Sequence, residues 1–217
     1  MAKNAGACMD FDTESVRKTA AAKIFEAAQD LFYRRGVRGV GVDEIVCEAG
    51  VTKPSLYRAF KSKDDLVAAC LRESAREGLA VINAALAAAG TDPRDRMNAM
   101  IRHYSDKLNQ PDFRGCLMSN VAVELTETDH PGREVVEDCK TDMRGIILEL
   151  ARDLRVAEPD ALADGLMLVI EGAIATHHIF GSQGPTQSMA ATCHDLIEAH
   201  LDRHDPAVQL EIGEAPS

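Results

Sequence analysis

Lys53, Ser55, Tyr57 and Arg58 fall within one short stretch, and Lys61 and Lys63 follow closely. Leu56 and Phe60, four apart, lie together on one side of a helix, which leaves Ser55, Arg58 and Ala59 outward and Tyr57 on the flank. Such a face is a row of hydrogen-bond donors. Arg and Lys pair with guanine O6 and N7, Ser reads either base type, and basic side chains neutralise phosphates. Thr52, Lys53, Ser55, Tyr57, Arg58, Lys61 and Lys63 are therefore the candidate contacts to double-stranded DNA. No nucleophile–base spacing and no glycine-rich phosphate loop occur in the chain, so neither catalysis nor a cofactor is expected.

The elements that must position this face come just before it. Val42–Glu48 reads as a short helix burying Val42, Ile45 and Val46, with Asp43 and Glu44 in the first turn, where the helix dipole favours acids. Ala49-Gly50-Val51 is a turn whose glycine supplies permissive backbone. The second helix is capped by Thr52, or by Lys53 with Pro54 at its first position. Two short helices joined by a glycine-containing turn form a helix-turn-helix, whose second helix enters the DNA major groove. An earlier helix from Val16 carries Ala20, Ile24, Ala27, Ala28 and Leu31 at helical spacing and stops at Gly36, giving the pair a floor.

Charge agrees with a nucleic-acid-facing head. Residues 16–63 hold ten basic and five acidic side chains, a net +5, whereas the whole chain carries −11. A basic head on an acidic body is the asymmetry expected of such a module.

Beyond Phe60 the pattern stays helical. Ser62-Lys-Asp-Asp starts a long helix over 63–89, and further helices are expected over 93–108, 115–126, 129–154, 159–180 and 186–203. With 46% hydrophobic residues, 4% aromatics and no strand pattern, the fold class is all-α, about nine helices. Residues 1–15 are expected to be a disordered arm and 205–217 a loose acidic tail. The division is then a DNA-binding domain over 16–63 and a larger domain over 64–204. Six scattered cysteines form no C-x-x-C and fit reduced thiols in a cytoplasmic protein. No signal-peptide pattern and no membrane-length apolar run are visible.

The run Ile24-Phe25-x-Ala27-Ala28-x-x-Leu31-Phe32-x-x-x-Gly36, then Ile45-x-x-x-Ala49-Gly50-Val51-x-x-Pro54-Ser55-Leu56-Tyr57-x-x-Phe60-x-x-Lys63-x-x-Leu66, resembles the TetR family of transcriptional regulators. The match spans about fifty residues. The rest is similar only in architecture. The resemblance implies a homodimer whose body binds a small-molecule effector and pairs through its last two helices. Most members repress transcription and release DNA on binding ligand. It also implies phosphate contacts from Tyr57 and Lys63. Gly41 stands where the family has a capping Ser or Thr. Asp43 either accepts from cytosine N4 or, the reading preferred here, serves the helix dipole.

Candidate effector-lining residues are His103, Tyr104, Cys116, Asn120, Met143 and Met167, against the simpler alternative of core packing. Cys116 beside Arg114 is a candidate reactive thiol. Ile170, Ala173, Ile174, His177, Leu196 and His200 are candidates for the dimer interface. His177, His178, His200 and His204 read as polar interface residues in preference to a metal site. Rival readings are an activator or ligand-independent regulator with the same head, and a helical small-molecule- or metal-binding protein without DNA binding.

Overall fold

The computed structural model describes residues 19–202, which form nine α-helices and two 3-10 turns with no strand among them. The helices are α1 (Ala20–Arg35), α2 (Val42–Glu48), α3 (Lys53–Ala59), α4 (Lys63–Ala88), α5 (Pro93–Leu108), α6 (Leu117–Glu124), α7 (Pro131–Asp153), α8 (Pro159–Phe180) and α9 (Met189–Asp202). The proposed start of the first helix at Val16, the N-terminal arm and the C-terminal tail lie outside the described residues. Thr19 caps α1, its hydroxyl accepting from the Ala22 N–H at 3.2 Å.

Local chemistry sets most boundaries. Pro93, Pro131 and Pro159 open α5, α7 and α8, where a missing N–H does no harm. Asp92 accepts from the N–H groups of Arg94 and Asp95, and His130 Nδ1 from that of Gly132. Ser62 caps α4 by accepting from the Asp65 N–H at 3.0 Å, while its own hydroxyl donates to the Asp65 carboxylate at 2.9 Å.

Three expectations are corrected. The sixth helix does not span 115–126: Gly115 has φ +86° and Cys116 is extended, so α6 begins at Leu117, and the extended Leu125 ends it. The ninth helix does not begin at Thr186, because Gly181–Gln183 and Pro185–Ser188 form separate 3-10 turns. Thr52 stands at the N-cap of α3 with extended backbone, but its hydroxyl pairs with that of Ser55 at 3.0 Å and caps no N–H. Lys53 is already helical, which puts Pro54 one residue inside.

Two apolar clusters hold the chain. One joins Ile24, Ala28 and Phe32 of α1, Ile45 of α2, Leu56 of α3 and the first turns of α4 to Met118 and Val121 of α6 and Val135 and Val136 of α7. The other joins the far half of α4 to α5, α7, α8 and α9 around Met97, Ile101, Ile147, Leu162 and Leu166. Cys116 packs against both. No described helix is long and apolar enough to cross a membrane.

The Ser62 cap gives a first test. Ser62→Ala removes the acceptor for the Asp65 N–H, and the unfolding free energy should fall by about 1 kcal/mol, measured by urea denaturation.

Candidate nucleic-acid interface and buried cavity

The turn between α2 and α3 is closed by backbone bonds from Ala49 N–H to Ile45 O at 2.9 Å and from Val51 N–H to Val46 O at 3.0 Å. Gly50 takes φ +62°, with open space where a β-carbon would stand, so the constraint there is dihedral. Leu56 is fully buried and pins α3 against α1 and α2. The opposite face of α3 is open: Lys53, Arg58 and Ala59 are exposed and Tyr57 retains 50% of its surface. Ser55 is half-buried. Among the described residues Arg58 and Lys61 form no ion pair, so their charge is directed to solvent.

Two of the predicted cations are engaged. Lys53 Nζ pairs with the Asp43 carboxylate at 2.8 Å, and this hydrogen bond raises the lysine above its ordinary value. Asp43 thus sits in the first turn of α2, as the dipole reading expected, and also holds a lysine of α3. Lys63 Nζ donates to Val37 O at 2.7 Å; burial lowers its pKa, partly offset by Asp64 and Glu124. An ammonium carries three donors, so one bond to Val37 leaves capacity for a phosphate.

The loop after α1 ties this unit to the body. The Arg38 N–H donates to Glu124 Oε2 at 2.8 Å, and the Arg38 guanidinium donates to Glu127 at 2.8 Å and to Thr126 Oγ1 at 2.9 Å. The Arg114 N–H donates to the Tyr33 hydroxyl at 3.0 Å. An open polar cleft lies at this junction, bordered by Tyr33, Arg114, Asn120, Glu124 and His178.

In the body, α4, α5, α6, α7 and α8 surround a cavity of about 340 Å³. His103, Tyr104, Cys116 and Met143 line it, as the sequence suggested. Asn120 does not: it donates to Arg114 O at 2.9 Å and pairs with His178 at 3.2 Å in the junction cleft. Met167 packs against the body core instead. His103 is held below its ordinary pKa by burial and by Lys107, and Tyr104 is pushed up by burial.

The cation at Cys116 is Lys140 of α7, whose Nζ donates to Sγ at 3.5 Å, in place of the Arg114 interaction expected from sequence. Lys140 also donates to Glu171 Oε1 at 2.5 Å, and the other Glu171 oxygen accepts from Ser119 Oγ at 2.7 Å. Burial alone would lower Lys140, but Cys116 and Glu171 outweigh it and the pKa is raised. Sequence reading missed Lys140 and Glu171. A signal existed: Glu171 is the lone acid in the apolar run from Gly165 to Phe180, and an acid drawn into apolar surroundings calls for a partner.

The predicted dimer residues mostly face their own core. Ile170 is 1% exposed, Ala173 7% and Ile174 5%, and His200 is buried with Nδ1 bonded to Leu196 O. Leu196 lies against Gly165, and His177 stacks edge-on with Phe113. The outward stripe of α8 is Leu168, Gly172, Ala175 and Ile179, with Leu168 and Ile179 each 75% exposed. Among the described residues no three His, Cys, Asp or Glu side chains converge on one point. His204 lies outside them.

A helix-turn-helix with an open cationic face, seated on a helical body with an internal cavity, is the architecture of a DNA-binding transcriptional regulator. The comparisons give its family. Residues 24–70 match the family described as "Bacterial regulatory proteins, tetR family", and residues 93–192 match "Transcriptional regulator LmrA/YxaF-like, C-terminal domain". The transcriptional repressor DhaR of Mycobacterium sp. (strain GP1) is 28% identical over 172 residues, covering 75% of this chain and 84% of that protein. The transcriptional activator FasR of Mycolicibacterium smegmatis is 38% identical over 80 residues, 37% of this chain and 36% of that protein. The crystal structure of a TetR-type regulator from Streptomyces avermitilis superposes with a TM-score of 0.73 at 33% identity, covering 84% of this chain and 98% of that one. The chain belongs to the TetR family.

The Lys140–Glu171 pair gives a second test. Lys140→Met leaves Glu171 without its cation and should lower stability by about 1–3 kcal/mol, less than a fully buried pair would lose. Adding Glu171→Met should recover most of that loss in urea titrations.

Proposed function

We propose that the protein is a homodimeric, cytoplasmic repressor that binds a two-fold operator and lets it go when a small molecule enters the cavity of the body. The observation that carries this reading is the position of α6. Its N-terminal end, at Cys116, Leu117 and Met118, borders the cavity, and its C-terminal end, at Glu124, grips the loop of the head. A ligand that favours one position of α6 over another shifts the population of head positions.

On DNA, α3 enters the major groove. Arg58 and Lys53 are assigned to base edges with Ser55, while Tyr57, Lys61, Lys63 and Thr52 are assigned to the backbone. The outward stripe of α8 meets its symmetry mate. Its small residues, Gly172 and Ala175, let the helices approach, and Leu168 and Ile179 lose water. Two heads so joined reach successive major grooves about 34–36 Å apart, or a multiple of it. The DhaR name supports repression, and the FasR name keeps activation as the second reading. Deleting the gene decides between them, since target transcription rises without a repressor and falls without an activator.

Selection of bound fragments from a random DNA pool, followed by fluorescence anisotropy, tests the reading. Affinity should fall steeply with salt, and Arg58→Ala should lose about 1–3 kcal/mol with relaxed sequence preference. Salt-independent binding, or an Arg58→Ala variant of full affinity and specificity, contradicts the assignment. Leu168→Glu should yield monomers in sedimentation and lose operator binding.

A further inference from the structure

We propose that the cavity is a covalent capture site for an apolar α,β-unsaturated carbonyl compound, with Cys116 as the nucleophile and Lys140 and Tyr104 as donors to the carbonyl oxygen. The proposal rests on the effector-cavity reading above and names the chemical class of the effector.

Three features come together on the cavity wall. Cys116 Sγ lies at the wall, half-buried, with Lys140 Nζ donating to it at 3.5 Å. Lys140 is held by Glu171, which is in turn held by Ser119, so the ammonium has little freedom to swing away. Tyr104 is 8% exposed, lines the same cavity and lies close enough to Cys116, Cys139 and Glu171 to feel their charge. Its hydroxyl makes no hydrogen bond to any described residue. No buried side-chain oxygen is left unpartnered among the described residues, so this hydroxyl is reachable by solvent and free to donate to a bound acceptor. The remaining wall is largely apolar, with Ile82, Phe113 and Ile146 on it, while Ser74, Arg76, His103, Lys107 and Asp142 also border it. The site therefore suits a molecule with a hydrocarbon body and one electron-poor, oxygen-bearing end.

In the reaction the sulfur attacks the β-carbon and a sulfur–carbon bond forms. The carbon–carbon π pair shifts toward the α-carbon and the carbonyl oxygen, where the enolate charge meets the Lys140 ammonium and the Tyr104 hydroxyl. The thiol proton leaves to solvent and the α-carbon takes one back. The net change is addition of S–H across C=C, with no further reactant. The other described thiols differ: burial raises Cys139, Cys193 to about 11 and Cys70 to about 12, whereas Cys47 is exposed on α2. Cys47 is thus an internal clock for ordinary thiol reactivity.

The test uses the full chain with phenyl vinyl ketone, reading site-resolved adducts by peptide mass spectrometry. Cys116 should react about tenfold faster than Cys47 in the folded protein, although it is the less exposed thiol, and at about the same rate as Cys47 in concentrated urea. Tyr104→Phe removes only the unpartnered hydroxyl, so stability should hold while Cys116 slows about tenfold and Cys47 keeps its rate. This is less than one donor is worth in a sealed oxyanion hole, because Lys140, 21% exposed, keeps water at the site. A folded Cys116 rate at or below that of Cys47, or a Tyr104→Phe variant that reacts as the parent does, overturns the proposal. Propiophenone, the saturated counterpart, forms no adduct and separates occupancy from capture. If Cys116 is captured selectively and operator affinity is unchanged, the capture chemistry stands and the effector reading of the cavity fails.

Discussion

The Glu124 carboxylate occupies space that a side chain on residue 36 would need. A β-carbon built on Gly36 would lie 2.5 Å from Glu124 Oε1, and the backbone there has φ +76°. The positive φ that ends α1 calls for glycine, and a side chain there would also displace the Glu124 carboxylate. From that position Glu124 accepts the Arg38 N–H, and Arg38 reaches on to Thr126 and Glu127. Together with the apolar cluster that α1, α2 and α3 share with α4, α6 and α7, this contact orients the three helices on the rest of the molecule. Lys63, held to Val37 O on the other side of the same loop, completes the grip.

Apolar packing runs through the same helix, α6. The cluster that stabilises α1 to α3 includes Met118 and Val121 of α6, so the DNA-facing unit is not packed on its own residues alone. Cys116 touches both clusters and caps α6 by position. An eight-residue helix is about 12 Å long at 1.5 Å per residue. The distance from cavity to head is therefore short, and a rigid shift of α6 is a physical route for the proposed coupling, needing no chain of intermediates.

The local features of the fold were legible in the sequence, and the long-range pairings were not. Helix starts at Pro93, Pro131 and Pro159 follow from the one ring and its missing donor, and the turn at Gly50 follows from its dihedral freedom. The side of α8 that faces inward was misread. The helix is apolar nearly all round, so Ile170, Ala173 and Ile174 could not be told from Leu168, Gly172, Ala175 and Ile179 by period alone. His103, Tyr104, Cys116 and Met143 were found because cavity walls and cores use the same residue types. Lys140 and Glu171 are 31 positions apart, and Arg38 and Glu127 are 89 apart. No spacing rule links such pairs; only the packed fold does.

In the DNA-binding role proposed for Lys53, its pairing with Asp43 would bear on how quickly the protein searches a genome. Off DNA the lysine charge is already shared with a carboxylate. On an arbitrary duplex the head therefore presents fewer unmatched cations than its formal charge, and releases fewer counterions. Residence on wrong sequences shortens. Only where a base edge offers Lys53 a better acceptor than Asp43 is the exchange favourable. Because competing sites vastly outnumber operators, a lysine occupied until it met its proposed target would improve occupancy of the operator by weakening every other encounter.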